Sequence, residues 1–165
     1  MNFNEVLKYR GSRDGWDEKD FHSRCDNLGP TVAFYELKNG TILAGFTSKN
    51  WYSPLARKYE KDSSAMLMNL TSSQCFPSKN DDLGGILCFQ GVGPSFGYRE
   101  LIVWAPFNQE GNLISFVGKE GYGIPKDKAL LGPDKNSLTG GKVDKNGQSQ
   151  STIVELEVWQ IKINK

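Results

Sequence analysis

Histidine is nearly missing: His22 is the single one in 165 residues. Any imidazole chemistry, whether a Ser–His–Asp triad or a Cys–His pair, must therefore run through that residue, and no serine sits in a G-x-S-x-G elbow. Cysteine is scarce as well. Cys25, Cys75 and Cys88 are odd in number and irregularly spaced, which is not a disulfide framework and points to a reducing, cytoplasmic location. A surplus of one charge is also lacking, with 20 Lys+Arg against 19 Asp+Glu and a net charge of +1. Nucleic-acid binders and anionic-membrane binders concentrate Lys and Arg far beyond that. Long apolar runs are missing too. The longest, such as residues 101–105, reach about a quarter of the roughly 20 residues a spanning helix needs, and residues 1–8 carry no secretory leader. The sequence thus predicts no nucleic-acid partner and no direct membrane insertion.

What is abundant is aromatic and turn-forming. Phe, Trp and Tyr make up 12% of the chain, alongside 18 Gly and 7 Pro. Disorder is excluded by that aromatic content, and one domain spanning residues 1–165 can bury roughly 70% of the surface its unfolded chain exposes. Glycine and proline separate short runs of Val, Ile, Leu, Phe and Thr, the rhythm of many short strands. Residues 16–25 differ. Trp16, Phe21, Cys25 and Leu28 fall near one helical face, Asp14 or Asp17 can cap the start, and Gly29-Pro30 ends it.

Residues 31–37 and 41–48 flank Lys38-Asn39-Gly40, a hairpin signal in which Asn-Gly suits a type I′ turn. Further strands are expected at 64–70, 85–90, 100–104, 113–117 and 152–163. In the last, Thr152, Val154, Leu156, Val158 and Gln160 share one parity, expected to face the core, and Ile153, Glu155, Glu157 and Trp159 share the other. Residues 74–84 and 132–151 read as loops. Together these elements predict an antiparallel, β-rich fold with few helices, built as two packed sheets.

Candidate chemistry is thin. Gly91-Val-Gly93-Pro-Ser-Phe96 opens like a dinucleotide fingerprint but has Phe96 in the third glycine position and no helix after it, so it reads as a turn. Asp134-Lys-Asn136 and Asp144-Lys-Asn-Gly147 lack the ligand register of a calcium loop. His22 and Cys25 share a helical face, which permits a thiolate–imidazole pair or, more plainly, a buried Cys beside a half-exposed His. A zinc site from His22, Cys25, Cys75 and Cys88 has no C-x-x-C pair to build on. Glu155 and Glu157 form a carboxylate pair on one strand face, either solvated or catalytic. No cofactor, metal or catalytic set is assigned. The densest polar and aromatic cluster is Arg10-Gly-Ser-Arg13-Asp14-Gly15-Trp16, which serves as a recognition surface or as an Arg–Asp brace for the helix.

That cluster also carries a resemblance. Residues 9–16 and 20–31, then Gly45-Phe-Thr-Ser48 with Trp51, residues 63–70, the Leu138-Thr-Gly-Gly141 loop and Glu155-Leu-Glu-Val-Trp159 resemble, in order, a TLDc domain. The likeness covers about residues 5–161 and is weakest between Gly91 and Lys128. It implies a β-rich α+β fold of two antiparallel sheets packed as a sandwich with short flanking helices, a link to protection against oxidative damage, and, as for several members, binding and regulation of the vacuolar-type proton-pumping ATPase. It transfers no catalytic residues. The expectation is a non-enzymatic interaction module docking on the pump's soluble sector or another large complex. The alternatives are a structural subunit of another assembly, such as a cytoskeletal or ciliary one, and a cysteine-based redox enzyme. Interface anchors favour Trp, Tyr and Arg, so the candidate contact residues are Arg10, Arg13, Asp14, Trp16, Trp51, Tyr52 and Arg57, with Trp51 and Tyr52 expected to be exposed.

Overall fold

The computed structural model describes residues 3–79, 84–119, 121–127 and 134–163. Strand β1 (Phe3–Arg10) runs into a single helical turn, α1 (Gly11–Asp14), and then α2 (Glu18–Cys25). The hairpin β2 (Thr31–Leu37) and β3 (Ile42–Thr47) follows, then β4 (Lys58–Lys61), β5 (Met66–Asn69), β6 (Gln74–Pro77) and β7 (Gly85–Cys88). The remaining strands are β8 (Ser95–Phe96), β9 (Ile102–Val103), β10 (Leu113–Phe116), β11 (Lys126–Asp127), β12 (Lys135–Asn136), β13 (Gln148–Ser151) and β14 (Ile153–Ile163).

One antiparallel sheet of six strands, ordered β1-β14-β2-β3-β5-β6, forms the first layer. The second layer is divided between two three-stranded sheets, β4-β7-β8 and β13-β10-β9, with β11 and β12 pairing as a small ribbon. The fold is therefore the expected β-rich sandwich with short helices, and its core is shared by both layers.

On the inner face of the six-stranded sheet, Ala33, Tyr35, Leu37, Leu67 and Leu156 are fully buried. Seven large aromatic side chains, Tyr9, Phe21, Tyr35, Trp51, Phe96, Phe107 and Tyr122, fill the space above them. Their rings meet edge to face, as the aromatic quadrupole favours: Phe21 stands 5.9 Å from both Tyr9 and Trp51, and Trp51 lies 5.6 Å from Phe96. Each buried polar tip finds a partner. Tyr35 Oη donates to the Pro94 carbonyl (2.6 Å), Tyr122 Oη to Gly85 (2.7 Å) and Tyr9 Oη to Gly15 (2.7 Å). Gly45 is required by this packing, because a Cβ there would stand 2.4 Å from the Phe96 ring.

A polar knot joins the layers where β3 ends. Asp62 is almost fully buried and accepts hydrogen bonds from Thr47 Oγ1, Ser48 N and Oγ, and Ser64 N and Oγ, at 2.6–3.1 Å. Burial alone raises its pKa, but the hydrogen bonds from Ser64, Thr47 and Ser48 prevail and hold the carboxyl below its usual range.

The outer face follows from the register, since residues opposite each other on neighbouring strands point the same way. One row reads Leu7, Trp159, Val32, Phe46, Met66 and Pro77; the next reads Arg10, Glu157, Phe34, Ala44, Met68 and Cys75.

Several sequence expectations need correction. β1, β4, β6, β8, β11, β12 and β13 are not among the expected strands; β6, β12 and β13 lie in stretches read as loops, of which residues 80–83 and 132–133 fall outside the described residues. The Lys38-Asn39-Gly40 turn has a left-handed residue only at Gly40 (φ 85°), so it is a three-residue loop ending in a glycine bulge rather than a type I′ turn. In β14, Leu156 and Val158 face the core as expected, but Ile153 is buried and Val154 is 45% exposed. A register shift between Ile153 and Glu155 inserts one residue and exchanges the two faces there. The helix begins at Glu18 rather than Trp16, where Asp17 takes the cap position and its N–H donates to Asp20 Oδ2 at 3.1 Å.

Candidate interaction surface

The α1 turn folds Asp14 back onto the end of β1. The Arg10 amide donates to Asp14 Oδ2 (2.9 Å), and Arg13 clamps the same carboxylate with Nε (2.9 Å) and Nη2 (2.7 Å). Arg24 of α2 approaches to 3.5 Å. The Arg13 hydrogen bond, aided by the Arg10 amide and the charge of Arg24 against an opposing effect of burial, holds the Asp14 carboxyl down at about 2. Arg10 itself turns to the outer sheet face, where Nε and Nη2 grip Glu157 Oε1 at 2.8 and 2.6 Å. Trp16 packs on Gly11, where a Cβ would stand 2.4 Å from the indole, and its carbonyl accepts from Phe107 N (2.8 Å). The cluster is thus an Arg–Asp brace that leaves the Arg10 and Arg13 heads 41% and 50% exposed.

Trp51 is not at the surface. It is 1% exposed, its ring wedged between Phe21 and Phe96 and its Nε1 donating to Thr31 Oγ1 at 2.9 Å. A residue sealed into the core cannot anchor a partner, so the expectation of exposure there is corrected. Tyr52 is half-buried and its hydroxyl donates to Glu60 Oε1; burial first, then that hydrogen bond, pushes the phenol pKa up. Arg57 is exposed and lies over two rings, 5.2 Å from the Trp104 centroid and 5.9 Å from Phe89. Beside it Leu55 is 83% exposed. The seven candidates therefore separate into a corner (Arg10, Arg13, Asp14, Trp16), a patch at Arg57, Tyr52 on Glu60, and a core residue. Leu55, Phe89 and Trp104 complete the patch. Nothing in their local sequence marks them, because loops remote along the chain bring them together.

A groove of about 660 Å³ runs between α2 and the loop at 89–91, lined among others by Lys19, His22, Asp26, Ser53, Phe89 and Gln90. Its polar residues are wired together. His22 Nδ1 lies 2.7 Å from Asp26 Oδ1, and Ser53 Oγ donates to Asp26 Oδ2 at 2.5 Å. His22 Nε2 faces the carbonyls of Phe89 (3.2 Å) and Val92 (3.0 Å). Asp26 stands in the middle. A catalytic triad needs the imidazole between serine and carboxylate, with its second nitrogen on the nucleophile; here that nitrogen pins α2 to the neighbouring loop. Cys25 is fully buried, and desolvation pushes its thiol pKa up strongly; Cys88 is raised to about 12, again chiefly by burial. Cys75 is exposed on the outer sheet face, 2.8 Å from Met66 Sδ.

The remaining motifs are structural. Gly91-Val-Gly93 turns the chain toward β8, with Gly93 N donating to the Val103 carbonyl (2.9 Å). Asp144 Oδ1 accepts from Asn146 N and Gln148 N and closes its own turn. Glu157 is occupied by Arg10 and by Trp159 Nε1 (2.8 Å), and Glu155 accepts from the Ser12 amide and hydroxyl. Among the described residues, no three His, Cys, Asp or Glu side chains converge as a metal site, and no helix is long and apolar enough to cross a membrane.

No curated protein matches the chain. Residues 2–162 match a family model, TLD: TLDc domain. With nearly the whole chain covered and the fold a β-rich sandwich, the protein belongs to the TLDc domain family.

Proposed function

We propose that this TLDc domain acts as a non-enzymatic, cytoplasmic interaction module that docks on a larger assembly, the soluble sector of the vacuolar-type proton-pumping ATPase being the first candidate, and serves in protection against oxidative damage. The observation that carries the reading is the patch at Leu55 and Arg57. The exposed Arg57 laid over Phe89 and Trp104 supplies the arginine and tryptophan that anchor interfaces, and the 83% exposed Leu55 adds apolar area two residues away. The groove next to it holds a histidine, a carboxylate and a serine in an order that activates no nucleophile.

Binding of the purified domain to purified pump soluble sector, measured by biolayer interferometry, tests this. The wild type binds, while Leu55→Ala with Arg57→Ala, and separately Arg13→Ala, weaken binding about tenfold, the effect of losing roughly 1.4 kcal/mol of anchor energy. Wild-type affinity in both variants refutes the surface, and no binding by the wild type refutes the pump. The competing redox reading rests on Cys75, the exposed thiol. If Cys75→Ser abolishes protection of cells against peroxide while pump binding is intact, that reading replaces this one.

A further inference from the structure

The outer face of the six-stranded sheet is apolar where a solvated antiparallel face is ordinarily polar. Val32, Phe34, Phe46, Met66, Met68 and Trp159 lie there in two adjacent rows, each half-buried by its neighbours, and Ala44 between them is only 1% exposed. Among the described residues α1 touches one corner of this face, through Ser12 on Glu155, and no other helix or second-layer strand is laid on it. Patches of this kind mark docking sites.

Charge says what docks. Glu36 and Glu155 stand directly opposite each other on β2 and β14, and like charges so placed repel. Among the described residues neither has a cation within ion-pair distance, whereas Glu157 next to them is held by Arg10. A depression of about 220 Å³ opens at this point, lined by Phe34, Glu36, Ile42, Glu155 and Glu157. Dimensions select the form of the occupant. Six strands span about 24 Å between the outermost axes, and two rows make a stripe about 7 Å wide; a single helix of about 16 residues has that length and lies flat on it.

We infer that the outer sheet face binds an amphipathic helix of a partner protein, apolar along one side and carrying Lys or Arg where it passes beside Glu36 and Glu155. An anionic lipid surface is repelled by those carboxylates. A second copy related by a two-fold axis would bring the same acidic pair, with no cation beside it among the described residues, to its own interface. The inference rests on the interaction-module reading and gives the module a second surface, separate from the patch at Leu55 and Arg57.

The probe is a fluorescein-labelled 16-residue helical peptide of Leu, Ala and Lys, with a control in which Glu replaces Lys. Anisotropy is read alongside alkylation of Cys75 by N-ethylmaleimide, since Cys75 lies on this face and Cys25 and Cys88 are buried. The Lys peptide binds at least about tenfold tighter than the Glu peptide and slows Cys75 alkylation. Glu36→Lys, exposed and without a folding role, and Met68→Lys each weaken it about tenfold, whereas Arg57→Ala does not. Equal binding of both peptides, or unchanged binding by Glu36→Lys, overturns the inference. Protection of Cys75 by phosphatidylserine vesicles, or by self-association in sedimentation, overturns it in favour of those occupants. Pump soluble sector separates the two readings. If it binds wild type and Met68→Lys alike with Cys75 still reactive, the surface fails and the pump stands; if it binds neither while the Lys peptide binds wild type, the surface stands and the pump fails.

Discussion

Along β2 successive side chains enter two environments on one backbone: Ala33, Tyr35 and Leu37 are sealed against the second layer, while Val32 and Phe34 stay half-buried and Glu36 is exposed. The inner face is filled by interlocking aromatics whose polar tips are all bonded; the outer is apolar along two rows and, among the described residues, has no second layer of strands on it. The difference teaches that apolar content alone does not identify a core. What distinguishes the faces is whether another layer has been supplied, and mutations break or sharpen that distinction in graded steps.

The largest effect falls where the inner face is thickest. Trp51→Ala empties a fully buried indole and leaves Thr31 Oγ1 without its donor, for a loss of about 3–5 kcal/mol in urea unfolding. A cost near zero would return Trp51 to the surface. Next comes a matched pair on β5: Leu67→Ala, on the inside, costs about 2–5 kcal/mol, whereas Met68→Ser, one residue away on the outside, costs about 1 kcal/mol or less. Equal losses would show that the outer face is already covered.

Third is the polar seam between the layers. Because the Asp62 carboxyl is held below its unfolded value, its ionised form is preferred by the fold. The stability this contributes is complete above the unfolded pKa of about 3.9 and is lost as pH falls through the lower folded value. The Tm gap between wild type and Asp62→Asn therefore narrows from pH 7 to pH 3; a gap constant across that range would mean the charge plays no part. The smallest effect belongs to Arg57→Ala, which removes an exposed side chain from the half-buried rings of Phe89 and Trp104 and shifts stability by about 1 kcal/mol or less.

How much of this was legible in the sequence differs element by element. The β2–β3 hairpin and the inward Leu156 and Val158 follow from turn chemistry and period-two alternation, which are local. β1 was hidden because a register shift between Leu7 and Tyr9 interrupts its alternation, and β14 changed parity at its start for the same reason. Bulges erase the one pattern that reveals strands. At the surface, the Arg10–Trp16 cluster was visible as a run of polar and aromatic residues, and the structure shows it to be a brace with exposed heads. Trp51, flanked by Lys49 and Asn50, looked like a surface residue; its burial depends on Phe21 and Phe96, which arrive from elsewhere in the chain. Leu55 gave no signal, since exposure of a leucine is a property of the folded loop.

The central position of β14 has a consequence in time. It lies between β1 and β2, and Phe3 pairs with Ile163, so the sheet cannot close until the last of its strands leaves the ribosome. At about 5–20 residues per second, β1 and β2 wait on the order of ten seconds with the edges meant for β14 unpaired. Contacts of such long sequence separation also form slowly once the chain is released. The nascent protein therefore passes through a stage in which strand edges and both apolar faces are open together, and its yield in cells depends on what shields them during that interval.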